Sequence, residues 1–262
     1  MCASQKVGII AGSGDLPLRL KKSLDIAGLP PVIGRLGVDF SVGQAGKIIS
    51  YFKSQHVTDL VLVGGLGRPN WLTLRTDWRG FCIVSKLIFK ILGDDALLKI
   101  IRRELEHDGF RVRGIHEFMP ELLCPKGQLG GVVPNTNLRE AVKRGYLAAK
   151  AHGAADLGQS VVVNAETGDV IGVEGRAGTD ALMLSVRNLS VPKILVKVAK
   201  PQQDMALDMP TIGLKTIEIA HDCRFVGIAC ESGVTLVSDL PDMILCCNAY
   251  GLFLWGVSSD DI

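Results

Sequence analysis

The first half of the chain alternates short apolar runs with segments of helical spacing. Val7–Ala11 is wholly apolar, as is typical of a parallel strand buried on both faces. Pro17 suits the first turn of a helix, and Gly28 fits its end. Further strands are predicted near residues 31–33, 59–63 and 110–115, and further helices near 43–54, 81–92 and 96–107. This alternation predicts an α/β fold with an open, mostly parallel sheet.

The second half of the chain follows a cluster of turn-forming residues at 124–136. We therefore predict two domains, 1–130 and 131–262. The strongest signal after the boundary is a β-hairpin of Ser160–Asn164 and Val170–Val173 around a Thr-Gly-Asp turn. Strands are also expected near 193–199, 225–229, 234–237 and 252–257, and helices near 138–151, 214–220 and 240–249.

Composition narrows the classes of function. The chain has 262 residues, 47% of them hydrophobic, and a net charge of only +2, so no overall field favours nucleic acid as a partner. Its seven cysteines include no CxxC pair, as expected of thiols in a reducing cytoplasm. Neither a signal peptide nor an apolar run of about 20 residues is evident. These features predict a cytoplasmic protein.

The loop Gly12-Ser13-Gly14 follows a predicted strand and precedes a predicted helix. Glycines there let backbone N–H groups approach a phosphate at the helix N-terminus, although a simple tight turn explains them equally well. A dinucleotide fingerprint would need a third glycine where Pro17 stands. An assignment as an NAD(P)-binding oxidoreductase would therefore rest on this loop alone.

Two further polar stretches precede predicted helices. Thr179 and Asp180 either cap a helix or line a binding cleft, and Asp94 and Asp95 either cap a helix or contact a metal or substrate. The helix predicted at 81–92 carries two lysines on one face, Lys86 and Lys90. It is either a core helix with outward-reaching lysines or a segment that contacts an anionic membrane or an acyl chain.

The stretch 197–213 carries the most chemistry. Lys197 and Lys200 end a predicted strand, and Asp204 and Asp208 follow in a loop bounded by prolines. Carboxylate oxygens suit Mg²⁺, which also bridges substrate phosphates, and lysines can balance charge developing on those phosphates. The alternative for this stretch is a solvated surface loop.

These stretches together resemble one family, the cytoplasmic UDP-2,3-diacylglucosamine pyrophosphatases of the two-domain LpxI type. The matching segments run in order over nearly the whole chain: IIAGSGDLP (9–17), VGQAG (42–46), GDDALL (93–98), GFRV (109–112), PELL (120–123), GTDA (178–181), KPQQD (200–204) and DMPTIG (208–213). The resemblance implies a Rossmann-like N-terminal domain and a distinct C-terminal α/β domain.

The resemblance also implies an activity and its residues. The family hydrolyses the pyrophosphate of UDP-2,3-diacylglucosamine to lipid X and UMP in lipid A biosynthesis, with a divalent cation, commonly Mg²⁺. Asp208 takes the role of the essential acid, with Asp204 as its competitor. On physical grounds we expect Asp208 and Asp204 as the candidate metal ligands, and Lys197 and Lys200 as catalytic residues that stabilise the phosphoryl charge. Substrate binding is expected at Gly12, Ser13, Gly14, Asp15, Gln44, Thr179, Asp180, Gln203 and Thr211. A homodimer in peripheral contact with the inner membrane is also implied.

The chain departs from the family pattern at three positions. Leu66 replaces a common lysine, Ala177 a common glutamate and Ala206 a common arginine. Losing two cations and an acid near a phosphate site would weaken catalysis or change substrate preference. The alternatives are therefore a pyrophosphatase for a non-lipid nucleotide sugar, and a non-catalytic relative that binds nucleotide sugar or lipid.

Overall fold

A computed structural model describes residues 5–65, 75–80 and 94–262. The chain divides into two compact units. The first comprises Met1–Pro120 with Asp204–Asp208, and the second comprises Glu121–Gln203 with Met209–Ile262. Leu66 and the helix predicted at 81–92 lie outside the described residues, as do the side chains of Asp94 and Asp95.

The first unit is built on a parallel sheet, as the alternating pattern predicted. Its strands are β1 (Val7–Ala11), β2 (Val32–Arg35), β3 (Asp59–Val63) and β4 (Arg111–Arg113), and its helices include α1 (Leu16–Ile26), α2 (Ala45–Ser54) and α3 (Asp94–His107). The strand order is β2-β1-β3-β4, with every neighbouring pair parallel. The order reverses between β1 and β3, and sheets of this Rossmann-like class usually bind ligands beyond the strand ends at such a point.

The core of this unit forms where α2 packs on the sheet. The apolar positions of α2 recur at helical spacing, so Ile48, Ile49 and Phe52 all lie on its buried face. Phe52 is completely buried and belongs to the same cluster as Leu60 and Val112 from the strands.

A buried charge lies at the start of β3. Asp59 is fully buried and accepts hydrogen bonds from the Arg111 guanidinium and the Thr58 hydroxyl, both at 2.7 Å. Burial by itself would raise the pKa of this carboxyl, but the hydrogen bonds from Arg111 and Thr58 outweigh it and hold the pKa below its usual value. The ion pair of Asp59 and Arg111 thus joins β3 to β4 in addition to the backbone hydrogen bonds between the two strands.

The second unit contains a larger, mixed sheet. Its strands are β5 (Gly127–Gly130), β6 (Ser160–Asn164), β7 (Val170–Val173), β8 (Lys193–Lys197), β9 (Thr211–Ile212), β10 (Phe225–Glu231), β11 (Leu236–Val237) and β12 (Phe253–Val257); its helices are α4 (Thr136–Ala154), α5 (Gly178–Ser185), α6 (Leu214–Asp222) and α7 (Leu240–Tyr250). Six strands follow the order β5-β12-β10-β8-β6-β7, in which β8, β10 and β12 are parallel. β9 and β11 form a separate parallel pair.

The predicted hairpin is confirmed, since β6 and β7 pair in antiparallel fashion. Two strands of this unit were not predicted from the sequence. One is β9, the two-residue partner of β11. Residues 127–130, assigned to the first domain from their glycines, form a strand in the second unit antiparallel to β12. Gly130 packs closely there, because a Cβ atom would lie 3.0 Å from the Ile244 side chain.

Close packing of α4 determines one face of this sheet. Gly145 allows the approach, because a Cβ atom at this position would lie 2.6 Å from the Val196 side chain. Ala141, Val142 and Ala149 line the same helical face and are almost completely buried. This packing brings the polar residues of α4 to the carboxyl ends of β8 and β10.

Candidate active site

The loop after β1 meets the loop after β3. The N–H group and the hydroxyl of Ser13 donate to the Gly65 carbonyl at 2.9 and 3.0 Å, and the Gly65 N–H donates back at 2.8 Å. A Cβ atom on Gly12 would lie 2.6 Å from the same carbonyl. Gly14 differs, because it has a φ of 99° and open space beside its Cα. Loop packing therefore accounts for Gly12, while Gly14 leaves its backbone accessible.

Two other residues expected to bind substrate, Asp15 and Gln44, also belong to the first unit. Asp15 is exposed, and its carboxylate lies 3.7 Å from Arg19 one turn along α1. The amide oxygen of Gln44 accepts the N–H of Ser41 at 3.0 Å, just before α2 begins. Asp15 thus presents a solvent-exposed carboxylate, whereas the amide oxygen of Gln44 also stabilises a turn.

Two predicted site residues converge at the carboxyl end of β8. The buried ammonium of Lys197 donates to the Thr179 hydroxyl at 2.9 Å. Thr179, at the start of α5, donates in turn to Glu174 at 2.6 Å. Ser160 begins the neighbouring strand, pairs with Lys197 in register, and brings its hydroxyl within 3.2 Å of Thr179. The sheet register and the start of α5 therefore bring together side chains from four chain segments.

The turn after β8 is held by its own side chains. The Lys200 N–H donates to the amide oxygen of Gln203 at 3.0 Å, and its ammonium pairs with Asp156 at 2.7 Å. The charge of Lys200 is thus offset by a neighbouring carboxylate, and Gln203 has a structural role in the turn.

The last two predicted substrate contacts also have partners. Asp180 pairs with Lys215 at 2.7 Å, in a bridge that is largely exposed. The hydroxyl of Thr211 donates to the Met209 carbonyl at 3.1 Å. Neither belongs to the hydrogen-bonded cluster around Lys197.

The segment Asp204–Asp208 forms a compact turn in the first unit. The N–H groups of Leu207 and Asp208 donate to the Asp204 carbonyl at 2.9 and 3.0 Å, and the Ala206 N–H donates to the Asp204 carboxylate at 3.1 Å. One guanidinium nitrogen of Arg102 lies 2.6 Å from both carboxylate oxygens. Asp204 therefore anchors the turn, and Asp208 lies half-buried at its end.

The sequence of the whole chain matches one family. A family model described as the LpxI N-terminal domain matches residues 6–122, and one described as the LpxI C-terminal domain matches residues 125–255. The chain belongs to the LpxI family. It is 33% identical over 279 aligned residues to the UDP-2,3-diacylglucosamine pyrophosphatase LpxI of Caulobacter vibrioides, an alignment covering 98% of this chain and 99% of that protein. No helix in the described part of the chain has the length and apolar character needed to cross a bilayer.

The donor set expected for Mg²⁺ in this LpxI-family chain is small. Across residues 5–65, 75–80 and 94–262, no three His, Cys, Asp or Glu side chains lie grouped to hold a metal ion. Mg²⁺ often takes only one or two carboxylates together with waters and substrate phosphates, so a carboxylate such as Asp208 fits this mode. At Asp204, a cation would have to compete with Arg102 for both carboxylate oxygens.

Three residues around these sites were not identified from the sequence of this LpxI-family member. Glu174 and Ser160 join the cluster at Lys197, and Arg102 holds Asp204. One feature of the sequence could have identified Glu174 as a site residue, because it stands between a predicted strand and the Gly-Thr-Asp start of a predicted helix. Arg102 had none, because its partner is 102 positions away in the chain.

Proposed function

We propose that this protein hydrolyses the pyrophosphate of UDP-2,3-diacylglucosamine, releasing lipid X and UMP for lipid A biosynthesis. The observation that carries this proposal is the 33% identity, over 98% of the chain, to the Caulobacter protein named for that activity. The oxidoreductase alternative has less support, since Pro17 stands in α1 where the dinucleotide fingerprint needs glycine.

Lys197 and Lys200 are the groups to which we assign charge stabilisation. When water attacks phosphorus in line, negative charge spreads over the phosphoryl oxygens, and a pre-positioned ammonium lowers the energy of that state. Lys197 suits this role because it lies at the carboxyl end of a parallel strand and is held by Thr179. Lys200 contributes less charge, because Asp156 pairs with it.

Asp208 is the acid to which we assign the essential role. A divalent cation bound by Asp208 and the substrate phosphates would neutralise phosphate charge and lower the pKa of the attacking water. The turn around Asp204 sets the position from which Asp208 acts. The proposal also includes Mg²⁺ as the cation, a homodimer, a cytoplasmic location and peripheral contact with the inner membrane. These points are supported by the family resemblance.

A non-catalytic binding relative is the second candidate, and the three departures from the family pattern favour it. Ala206 supplies its backbone N–H to Asp204, a contact that any non-proline residue could make, so the turn does not depend on the missing arginine. Ala177 precedes α5 without capping it through a side chain. The missing charges would therefore affect substrate contact more than folding.

Release of UMP from UDP-2,3-diacylglucosamine by the purified protein tests the proposal, with Mg²⁺ and with EDTA. Asp208→Asn should lower kcat by at least about 100-fold in a variant that still unfolds cooperatively, because a metal-type contribution amounts to several kcal/mol. Asp169→Asn, in the exposed hairpin turn, is the matched control and should retain full activity. Full activity of Asp208→Asn would refute the residue assignment, and no release by folded wild-type protein would favour the binding relative.

A further inference from the structure

The hydrogen bonds around Lys197 run in one direction. Glu174 as a carboxylate only accepts, and Lys197 as an ammonium only donates. Thr179 has a single hydroxyl proton, which it donates to Glu174 at 2.6 Å, so its oxygen faces Lys197 as an acceptor at 2.9 Å. Glu174 and Lys197 are each only 7% exposed. The carboxylate therefore orients the Thr179 hydroxyl, and the hydroxyl oxygen in turn holds the Lys197 ammonium as an acceptor.

Holding a lysine in one position has a cost in conformational entropy. A lysine side chain loses up to about 2 kcal/mol of conformational entropy when it is immobilised. A hydroxyl that donates to a carboxylate becomes a stronger acceptor, because hydrogen bonds in a chain polarise one another. Glu174 thus strengthens the contact that immobilises Lys197 without forming the contact itself.

We propose that Glu174 is a positioning residue for the reaction: it acts through Thr179 to hold the Lys197 ammonium where phosphoryl charge develops. This inference rests on the proposed function. Glu174 touches neither the substrate nor the reacting atoms in this scheme. It also fixes the local backbone, since it accepts the Gln159 N–H at 2.8 Å and its carbonyl contacts His152 at 2.6 Å. A test must therefore separate positioning of Lys197 from support of the fold.

The second unit offers a matched control in Glu231. This carboxylate is also mostly buried at the end of a strand, and it accepts from Lys150 at 2.7 Å, Tyr146 at 2.8 Å and the Ala199 N–H at 2.8 Å. Its lysine belongs to α4 and is not among the proposed catalytic residues. Glu231→Gln therefore removes a buried carboxylate of the same kind without disturbing the chain from Glu174 to Lys197.

The kinetic experiment is a double-mutant cycle of Glu174→Gln and Thr179→Val, with Thr179→Ser as the conservative variant. Each disruptive change should lower kcat about 10- to 100-fold with KM nearly unchanged, because a misplaced group costs transition-state stabilisation. The double variant should lose no more than the worse single variant, since both act on Lys197 through one route. Thr179→Ser should stay within about threefold of wild type in kcat, because it keeps the hydroxyl. Glu231→Gln should lower the thermal midpoint but keep kcat within the same range.

Fully additive losses in kcat, or a lower thermal midpoint with unchanged kcat, would overturn the proposal. A second readout does not depend on turnover. The ¹⁵N-labelled ammonium signal of Lys197, assigned by its absence in Lys197→Arg, should be protected from exchange in wild type, Thr179→Ser and Glu231→Gln, and lost in Glu174→Gln and Thr179→Val. A signal that persists in Glu174→Gln refutes the link. An inactive wild-type protein that shows the expected pattern would refute the proposed function while the ordering of Lys197 by Glu174 stands.

Discussion

Removal of the Arg102 guanidinium should test whether the turn around Asp204 controls Asp208. In Arg102→Ala the Asp204 carboxylate, whose side chain is 17% exposed, loses the nitrogen that lies 2.6 Å from both of its oxygens. A hydrogen bond between charged groups contributes about 1.5–3 kcal/mol. The 3–5 kcal/mol typical of breaking a buried pair is an upper bound here, because Arg102 itself is 31% exposed.

The expected loss of stability is therefore about 2 kcal/mol, or a fall of roughly 4–8 °C in the thermal midpoint. Activity should fall further than stability alone explains. Asp208 is held by the hydrogen bond from its own N–H to the Asp204 carbonyl, and a shift of about 1 Å at a catalytic group can cost about 100-fold in rate. Arg102→Lys should lie between wild type and Arg102→Ala, because a point charge cannot reproduce the guanidinium contacts.

Steady-state UMP release and thermal unfolding should be measured on the same preparations, at a temperature where every variant is folded. Glu106→Gln is the control, since it removes the other carboxylate that Arg102 contacts, at 2.8 Å and 41% exposed. That change should cost less than about 1 kcal/mol and leave the rate unaltered. Wild-type kcat/KM in Arg102→Ala would refute the reasoning. A rate loss in Asp204→Asn as large as in Asp208→Asn, without loss of stability, would instead support direct metal binding by Asp204.

Two further predictions concern the first unit. Asp59→Asn should destabilise the protein at pH 7. The pairing with Arg111 holds the Asp59 pKa below its usual value. The stabilisation is therefore complete above the ordinary carboxyl pKa of about 3.9 and is lost as the pH falls through the lower pKa of the folded state. The difference in thermal midpoint between variant and wild type should accordingly shrink on acidification. Gly12→Ala should cost about 1–3 kcal/mol, since its Cβ would lie 2.6 Å from the Gly65 carbonyl; an unchanged thermal midpoint would contradict this.

The sequence predicted best where a pattern is local and buried. The apolar run of β1 and the alternation that follows it predicted the parallel sheet, because strands covered on both faces have no polar positions. The hairpin of β6 and β7 was equally clear, because its turn residues stand between two β-branched runs. β5 was missed because Gly127–Gly130 contains none of the β-branched or aromatic residues that favour a strand, and β9 is only two residues long.

The sites were less predictable than the fold, because long-range partners leave no local signal. Lys197 and Thr179 were each identified as candidates, but their contact depends on the register of β8 against β6 and on where α5 begins. The assignment of Asp204–Asp208 to the first unit depends on packing and on a charge in α3. No periodicity within a loop indicates which surface it will cover.

The partners of the predicted charges indicate which of them are suited to act on a phosphate. A direct ion pair offsets a charge strongly, and Lys200 is in such a pair with Asp156. Asp204 is offset in the same way by Arg102. The contact between Lys197 and Thr179 is different, because a hydroxyl orients the ammonium without carrying an opposite charge, and the Glu174 carboxylate acts one group further away. Of the two lysines, Lys197 thus combines a buried position with a contact to a neutral hydroxyl, and a pre-positioned ammonium is suited to stabilise a developing negative charge.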